Sequence, residues 1–355
     1  MPIILTLTRY QRLGSSSRVR FYQYYSYLES NGFEIINAPF FDDGYIRNLY
    51  AGHKISFFAG LKAYINRIVT LTGKKKINLI WVEKEFLPWL PFGIEAIFLS
   101  HRIPYVVDYD DAVFHRYDLH PKPLVRRILG HKIDQVMRNA GMVIAGNTYI
   151  AARAKEIGAI QVEILPSVVD VSQYAVKQLT QDKVFKIGWI GAPVTVKYLN
   201  LIHDALLDFS QETPVGLVLV GAGNIPPFPD IPTELIPWSE ELERTVNQKF
   251  DVGVMPLVDD PFERGKCGYK LIQYMAGGLP VIASPVGVNR DIVEPDINGY
   301  LPNSSAEWLV SLRKLRDNPQ KRITMGGAGR KKAERLYNLQ VTAPKLLELF
   351  KNTVR

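Results

Sequence analysis

A single cysteine, Cys267, stands in a chain of 355 residues. An internal disulfide framework and a multi-cysteine zinc site are therefore excluded, and a reducing cytoplasm is the expected setting. No apolar run reaches the roughly 18–20 residues that span a bilayer. The N-terminal Met1-Pro-Ile-Ile-Leu-Thr-Leu-Thr-Arg9 lacks the basic stretch, apolar run and small-residue cleavage site of a signal peptide, and reads as a first strand. A soluble protein is expected, or one held on the inner face of a membrane. Internal repeats and low-complexity tracts are missing, as are a Gly-x-Ser-x-Gly elbow, a His-Glu-x-x-His helix and a P-loop.

What is present is ordinary for a globular protein, with 47% apolar and 22% charged residues. The length suits two domains better than one. The net charge of +8 is uneven: residues 1–175 carry 21 lysines and arginines against 15 acids. A basic half suits phosphorylated ligands, anionic lipid or nucleic acid, but no nucleic-acid recognition motif accompanies it, so no nucleic-acid partner is expected.

Short β-branched runs alternate with helix-period stretches, the pattern of βαβ units in a parallel sheet. The first half predicts strands at Ile3–Thr8, Phe33–Asn37, Leu79–Val82, Tyr105–Tyr109 and Met142–Ala145, with helices such as Val19–Asn31 and Leu124–Asn139. The second predicts strands at Lys186–Ile190, Val215–Val220, Glu234–Ile236, Val252–Met255, Pro280–Ala283 and Tyr300–Leu301. Two such series imply two doubly wound α/β domains, 1–175 and 176–340, with a change-over between Glu163 and Asp182. A last helical segment, 341–355, is expected to pack back across the junction.

The stretch from Phe262 to Ser284 reads as a glycine-containing loop, a helix from about Gly268 to Ala276, then a turn and a buried strand. Backbone N–H groups and the helix N-terminus suit an anion. Lys266 and Lys270, four residues apart, could flank one diphosphate from the same side of the first turn. Gln273 offers an amide for sugar or ribose hydroxyls. An ordinary surface loop with solvated lysines is the competing reading.

In the first half, Arg9-Tyr-Gln-Arg-Leu-Gly-Ser-Ser-Ser-Arg18 follows a strand, and Gly14 and its serines permit close approach of a ligand. Ser17 could instead be a helix N-cap. Val107-Asp-Tyr-Asp-Asp111 ends another strand at the same sheet edge. Alternation puts Asp108 and Asp110 on one face, which admits a metal reading or, for Asp110, a cap or an arginine pair. His115 and His120 read as loop residues. Leu219-Val-Gly-Ala-Gly-Asn224 suggests a dinucleotide turn, but Ile225-Pro-Pro follows where a helix should start. The stretch from Lys54 places Phe57, Leu61, Tyr64, Ile65 and Ile68 on one helix face. Lys62, Arg67 and Lys74-Lys75-Lys76 add charge, so that helix packs on the core or lies on an anionic leaflet.

Gln273-Tyr-Met-Ala-Gly-Gly-Leu-Pro-Val-Ile-Ala-Ser-Pro-Val-Gly-Val-Asn-Arg-Asp-Ile-Val293, followed by Asn298-Gly-Tyr-Leu301, resembles the donor region of family-4 (group 1) glycosyltransferases. Phe250-Asp-Val-Gly-Val-Met-Pro-Leu257, Pro166-Ser-Val-Val-Asp170 and Ala140-Gly-Met-Val-Ile-Ala-Gly-Asn147 extend the resemblance over most of the chain. It implies the GT-B fold, two Rossmann-like domains facing each other across a cleft. It further implies retaining, metal-independent transfer from a UDP- or GDP-linked sugar to a saccharide or lipid-linked acceptor, of the kind used in envelope polysaccharide biosynthesis. With the residue readings above, donor binding is expected at Gly14, Ser15, Arg18, Gly191, Arg264, Gly265, Lys266, Gly268, Lys270 and Gln273, the diphosphate falling to Lys266, Lys270 and Arg264. Trp238 would border the base pocket, or serve as a structural apolar residue. Asp110 and Lys270 would act in catalysis, Asp110 where many members carry a histidine.

Two departures stand out. Gln273 replaces the family's second glutamate, and Gly265 stands eight residues earlier where its first is expected, with Glu263 two residues off. Gly188-Trp189 replaces a Gly-Arg pair, so that phosphate-binding arginine is missing, and Lys197 matches the family lysine poorly in spacing. These departures motivate two alternatives, a non-catalytic partner of the same fold and a sugar-nucleotide epimerase.

Overall fold

A computed structural model describes residues 1–53, 57–73, 76–99, 103–178, 184–223 and 228–354. The chain forms two compact units. The first is Met1–Ser167 with Arg264–Cys267 and Leu339–Arg355, and the second is Val168–Glu263 with Gly268–Asn338. Among the described residues, no helix is long and apolar enough to cross a membrane.

The first unit holds strands β1 (Ile3–Leu7), β2 (Glu34–Asn37), β3 (Leu79–Glu83), β4 (Tyr105–Tyr109), β5 (Met142–Ala145) and β6 (Val162–Ile164). They form one parallel sheet in the order β2-β1-β3-β4-β5-β6. β3, β4 and β5 are buried throughout, which is why they read as continuous apolar runs rather than alternating ones. The order reverses between β1 and β3, and in such sheets ligands sit beyond the strand ends at that reversal.

The second sheet contains β7 (Phe185–Ile190), β8 (Val215–Val220), β9 (Thr233–Ile236), β10 (Val252–Met255), β11 (Val281–Ala283) and β12 (Gly299–Tyr300). Its order is β12-β11-β10-β7-β8-β9, with the reversal between β7 and β10. Two glycines let aromatic rings lie against these strands. A Cβ at Gly188 would stand 2.1 Å from the Phe250 ring, and one at Gly253 would stand 2.3 Å from the Tyr274 ring. Tyr274 in turn accepts a hydrogen bond from Ile190 N at 2.9 Å, tying the helix that bears it to β7.

The doubly wound α/β architecture is as the sequence implied, and four local readings need correction. β6 lies at the start of the expected change-over, where the sequence predicts no strand. It is a short edge strand, with too little apolar signal to register. Leu124–Asn139 is two helices, Pro123–Leu129 and Lys132–Arg138, interrupted at Gly130 and His131. Val19–Asn31 begins as a π-turn, Arg18–Tyr22, before the α-helix Gln23–Ser30.

The fourth correction concerns helix Phe57–Thr72. Its core side is Ala63 and Arg67, with Tyr64 and Ile68 packed partly against the core. Phe57 and Phe58 (each 78% exposed), Leu61, Ile65 and Val69 face outward instead. Arg67 adds no surface charge. Its guanidinium donates to the carbonyls of Thr8 (2.8 Å) and Ala38 (3.2 Å), and burial pushes its pKa down to about 9. Lys54, Lys74 and Lys75 lie outside the described residues.

The C-terminal helix Leu339–Thr353 belongs to the first unit. Thr342 Oγ1 lies 3.0 Å from the Tyr24 hydroxyl, and Phe350 packs edge-on against Trp81. Just past the C-terminal ends of β1 and β3, buried Lys132 bridges Glu85 (2.7 Å) and Glu95 (2.9 Å), while Arg9 reaches Glu85 at 3.0 Å.

Candidate donor and acceptor sites

In the second unit, the residues that can meet an anion gather beyond β7 at the reversal. Helix Tyr269–Ala276 follows β10, and Gly268 before it is left-handed (φ 65°). A side chain at Gly268 would press on Ile292 at 2.3 Å, so glycine is needed there for both backbone and space. The first-turn residue Lys270 sets its ammonium over the Trp189 ring, 4.4 Å from the centroid. A cation over an indole is held by the ring quadrupole, worth about 0.5–2 kcal/mol. Trp189, which replaces the expected arginine, thus serves as the platform for a lysine. Gly191 keeps this place open. A Cβ there would lie 2.4 Å from the Trp189 ring and 2.9 Å from Lys270 Nζ. Gly221, at the end of β8 with φ 73°, lets the neighbouring loop approach; its Cβ would stand 2.2 Å from the Gly191 carbonyl oxygen.

Beside this lies a polar cluster centred on Glu243. Its carboxylate, 4% exposed, accepts from Gln273 Nε2 (2.5 Å), Tyr269 Oη (2.9 Å) and Trp238 Nε1 (2.9 Å). Trp238 and Gln273, named from sequence for separate reasons, therefore share one partner. Nothing in the local sequence marked Glu243, which reads as one acid among three at a helix start. Glu263 accepts from the Tyr198 hydroxyl, and Lys197 Nζ lies over the Tyr198 ring at 5.3 Å.

Lys266 does not share a helix turn with Lys270. The helix starts at Tyr269, and Arg264–Cys267 packs with the first unit. Asn147 Nδ2 donates to the carbonyls of Gly265 (2.7 Å) and Lys266 (3.2 Å), and Cys267 Sγ donates to the Asp110 carbonyl at 2.8 Å. Gly265 lies so close to Ala112 that a Cβ would fall 2.3 Å from its methyl. Lys266 Nζ stands 3.9 Å from Asp111, and Arg264 is exposed. Burial pushes the Cys267 thiol well up, which leaves it an inert packing residue.

The first unit has its own cluster at the β1/β3/β4 edge. Ser17 is no helix cap: its hydroxyl donates to Glu83 at 2.6 Å and accepts from Tyr10 N at 3.1 Å. Gly14 precedes the short turn Ser15–Ser17, Ser15 is exposed, and Arg18 is buried. Asp108 is held by Arg20 through two hydrogen bonds (2.7 and 3.2 Å), so it is a structural ion pair. Asp110 receives the Ser16 hydroxyl and stands 2.9 Å from Lys84 Nζ. Burial would raise its pKa, but the Lys84 ammonium and Ser16 outweigh that and hold it at about 2. Each carboxylate weighed as a metal ligand thus has a cation of the chain beside it.

Lys84 was not singled out from sequence. The run Glu83-Lys84-Glu85, ending an apolar strand, was the available signal. Its backbone is left-handed, φ 68°, a conformation costing a non-glycine residue on the order of 1–3 kcal/mol and concentrated at functional sites. The histidines are engaged locally. His115 lies between Asp118 (2.8 Å) and Tyr149 (2.9 Å), and His120 Nδ1 accepts from Lys122 N.

Residues 184–318 match the family model described as glycosyl transferases group 1. No curated protein matches the sequence. Among solved structures, the chain is similar to sucrose-phosphate synthase from Thermosynechococcus elongatus, with 16% identity, TM-score 0.74 and 99% of each chain covered. It is also similar to HepE from Anabaena, solved with UDP-glucose, at 17% identity and TM-score 0.71 over 99% of this chain and 100% of that one. A third is WaaG, a glycosyltransferase involved in lipopolysaccharide biosynthesis, at 12% identity and TM-score 0.67 over 98% and 99%. At such identities the likeness is one of fold. Residues 184–318 belong to the group 1 glycosyl transferases, and the chain that carries them has the GT-B fold.

Proposed function

We propose that the protein is a retaining hexosyltransferase, moving a sugar from a nucleoside-diphosphate donor to a hydroxyl acceptor. The observation that carries this reading is Lys270 over Trp189 beside Gly191, at a helix start within the family-matched segment. A departing diphosphate gathers negative charge, which an ammonium fixed at a helix N-terminus, with its partial positive charge, stabilises with no reorganisation. Protein cations fill this role here, without a metal. Anabaena HepE has been solved with UDP and with UDP-glucose, which supports uridine diphosphate as the first donor to test. Retention at the anomeric carbon follows from the resemblance at Gln273–Val293.

On the first unit, Asp110 orients the acceptor hydroxyl. Held at about 2, it accepts a hydrogen bond but is too weak a base to take the proton outright at neutral pH. Gly14, Ser15, Arg18, Arg264, Gly265 and Lys266 are the first unit's proposed contributions to donor binding. The acceptor is a saccharide or a lipid-linked one in envelope polysaccharide synthesis. The outward apolar row on helix Phe57–Thr72, with exposed Lys62, supports contact with the inner face of an anionic membrane.

The test is incubation with UDP- and GDP-sugars, followed by proton NMR of the anomeric signal. Release of sugar or product with the donor's own anomeric configuration is expected. Inverted configuration contradicts the retaining mode. Isomerised donor with no diphosphate released points to an epimerase instead.

A further inference from the structure

We propose that Glu243 is a positioning residue that fixes the amide of Gln273, so that this neutral side chain offers its oxygen to the hydroxyls of a nucleotide sugar. The proposal rests on the donor reading above and deepens it. A carboxylate can only accept hydrogen bonds, so the end of the Gln273 amide that meets Glu243 at 2.5 Å is its NH2. Oε1 is then the end left to face a ligand. Without such a partner an amide can turn either way. Glu243 is itself fixed on three sides, by Trp238 Nε1 and Tyr269 Oη as well as Gln273. Its helix, Glu240–Thr245, is capped by Ser239, whose hydroxyl accepts from Leu242 N at 3.1 Å. Asn247 Nδ2, just beyond that helix, donates to the Gln273 carbonyl at 3.0 Å, joining the two backbones. The carboxylate that the resemblance sets at position 273 is thus matched here by an oxygen acceptor on 273 and a buried acid on 243.

The consequences of substitution differ from those of a merely structural acid. In Glu243→Gln the one remaining oxygen must serve Trp238 Nε1, so the new NH2 faces position 273. The Gln273 amide then turns over and points its own NH2 at the ligand. Gln273→Glu alone sets two carboxylates against each other, and one must take up a proton. The double swap, Glu243→Gln with Gln273→Glu, returns a donor facing an acceptor and again leaves an oxygen for the ligand.

The experiment is calorimetric titration of wild type, both single variants and the swap with UDP, UDP-glucose and inorganic diphosphate, with unliganded thermal unfolding recorded for each. Each single variant is expected to lose about fivefold or more in affinity for the nucleotides, the size of one neutral hydrogen bond. The swap should recover to within about threefold, and inorganic diphosphate should bind all four proteins alike. Loss with UDP itself assigns the oxygen to the ribose; loss with UDP-glucose alone assigns it to the sugar. If wild type binds the nucleotides while the single variants match it, or the swap is worse than either single, the positioning role is overturned and the donor reading stands. If wild type binds no nucleotide, the donor reading falls and takes this proposal with it.

Discussion

Lys84 occupies a left-handed backbone, and its ammonium is held by Asp110 and Ser16. If that placement serves the acceptor, Asp110→Asn should lower transfer at least tenfold, by kinetics with saturating donor, and leave UDP affinity unchanged. Wild-type transfer should also show no acid limb from Asp110 down to about pH 4, since its carboxyl is held near 2. A second buried acid behaves oppositely. Lys132 bridges two carboxylates, and Glu85 is held low while burial pushes Glu95 up to about 7. A carboxyl raised by folding favours the folded state at acidic pH. Its contribution is lost as pH rises through 7. Stability should therefore fall between pH 5 and pH 7.5 in wild type, and Glu95→Gln should flatten that decline in thermal unfolding.

At the scale of elements, the glycine–ring contacts decide how close helix and strand come. Gly253→Ala must push aside the Tyr274 ring, whose hydroxyl also holds β7. A loss of about 1–3 kcal/mol is expected, read from denaturant unfolding of the variant. Helix Phe57–Thr72 turns its apolar row outward, so Phe58→Asp with Ile65→Asp should leave the unfolding temperature nearly unchanged and abolish flotation with phosphatidylglycerol vesicles. Flotation unaffected by the pair would remove the membrane role. The sequence made most strands legible because buried parallel strands are unbroken apolar runs, as with Tyr105–Tyr109 and Val215–Val220. It did not disclose which face of helix Phe57–Thr72 meets the core. That face is chosen by Arg67, whose bonds go to carbonyls of distant residues, Thr8 and Ala38. Lys266 was likewise set beside Lys270 by spacing alone, whereas Asn147, more than a hundred residues away, draws its loop to the first unit.

For the molecule as a whole, Gly191, Trp189 and Lys270 come together at the sheet reversal where the fold places ligands, and the family-matched segment contains all three. Gln273 and Trp238 were legible as candidates, while Glu243 that unites them was not, because two of its three partners, Tyr269 and Gln273, lie on a separate helix. Everything proposed for the reaction depends on this edge binding the phosphates of a donor. The most direct measurement is isothermal titration of UDP into the wild-type chain and into Lys270→Ala. Micromolar to submillimolar binding by wild type is expected, with at least a tenfold loss in Lys270→Ala and no change in its unliganded unfolding temperature beyond a degree or two. Equal affinity in the two proteins would contradict the site.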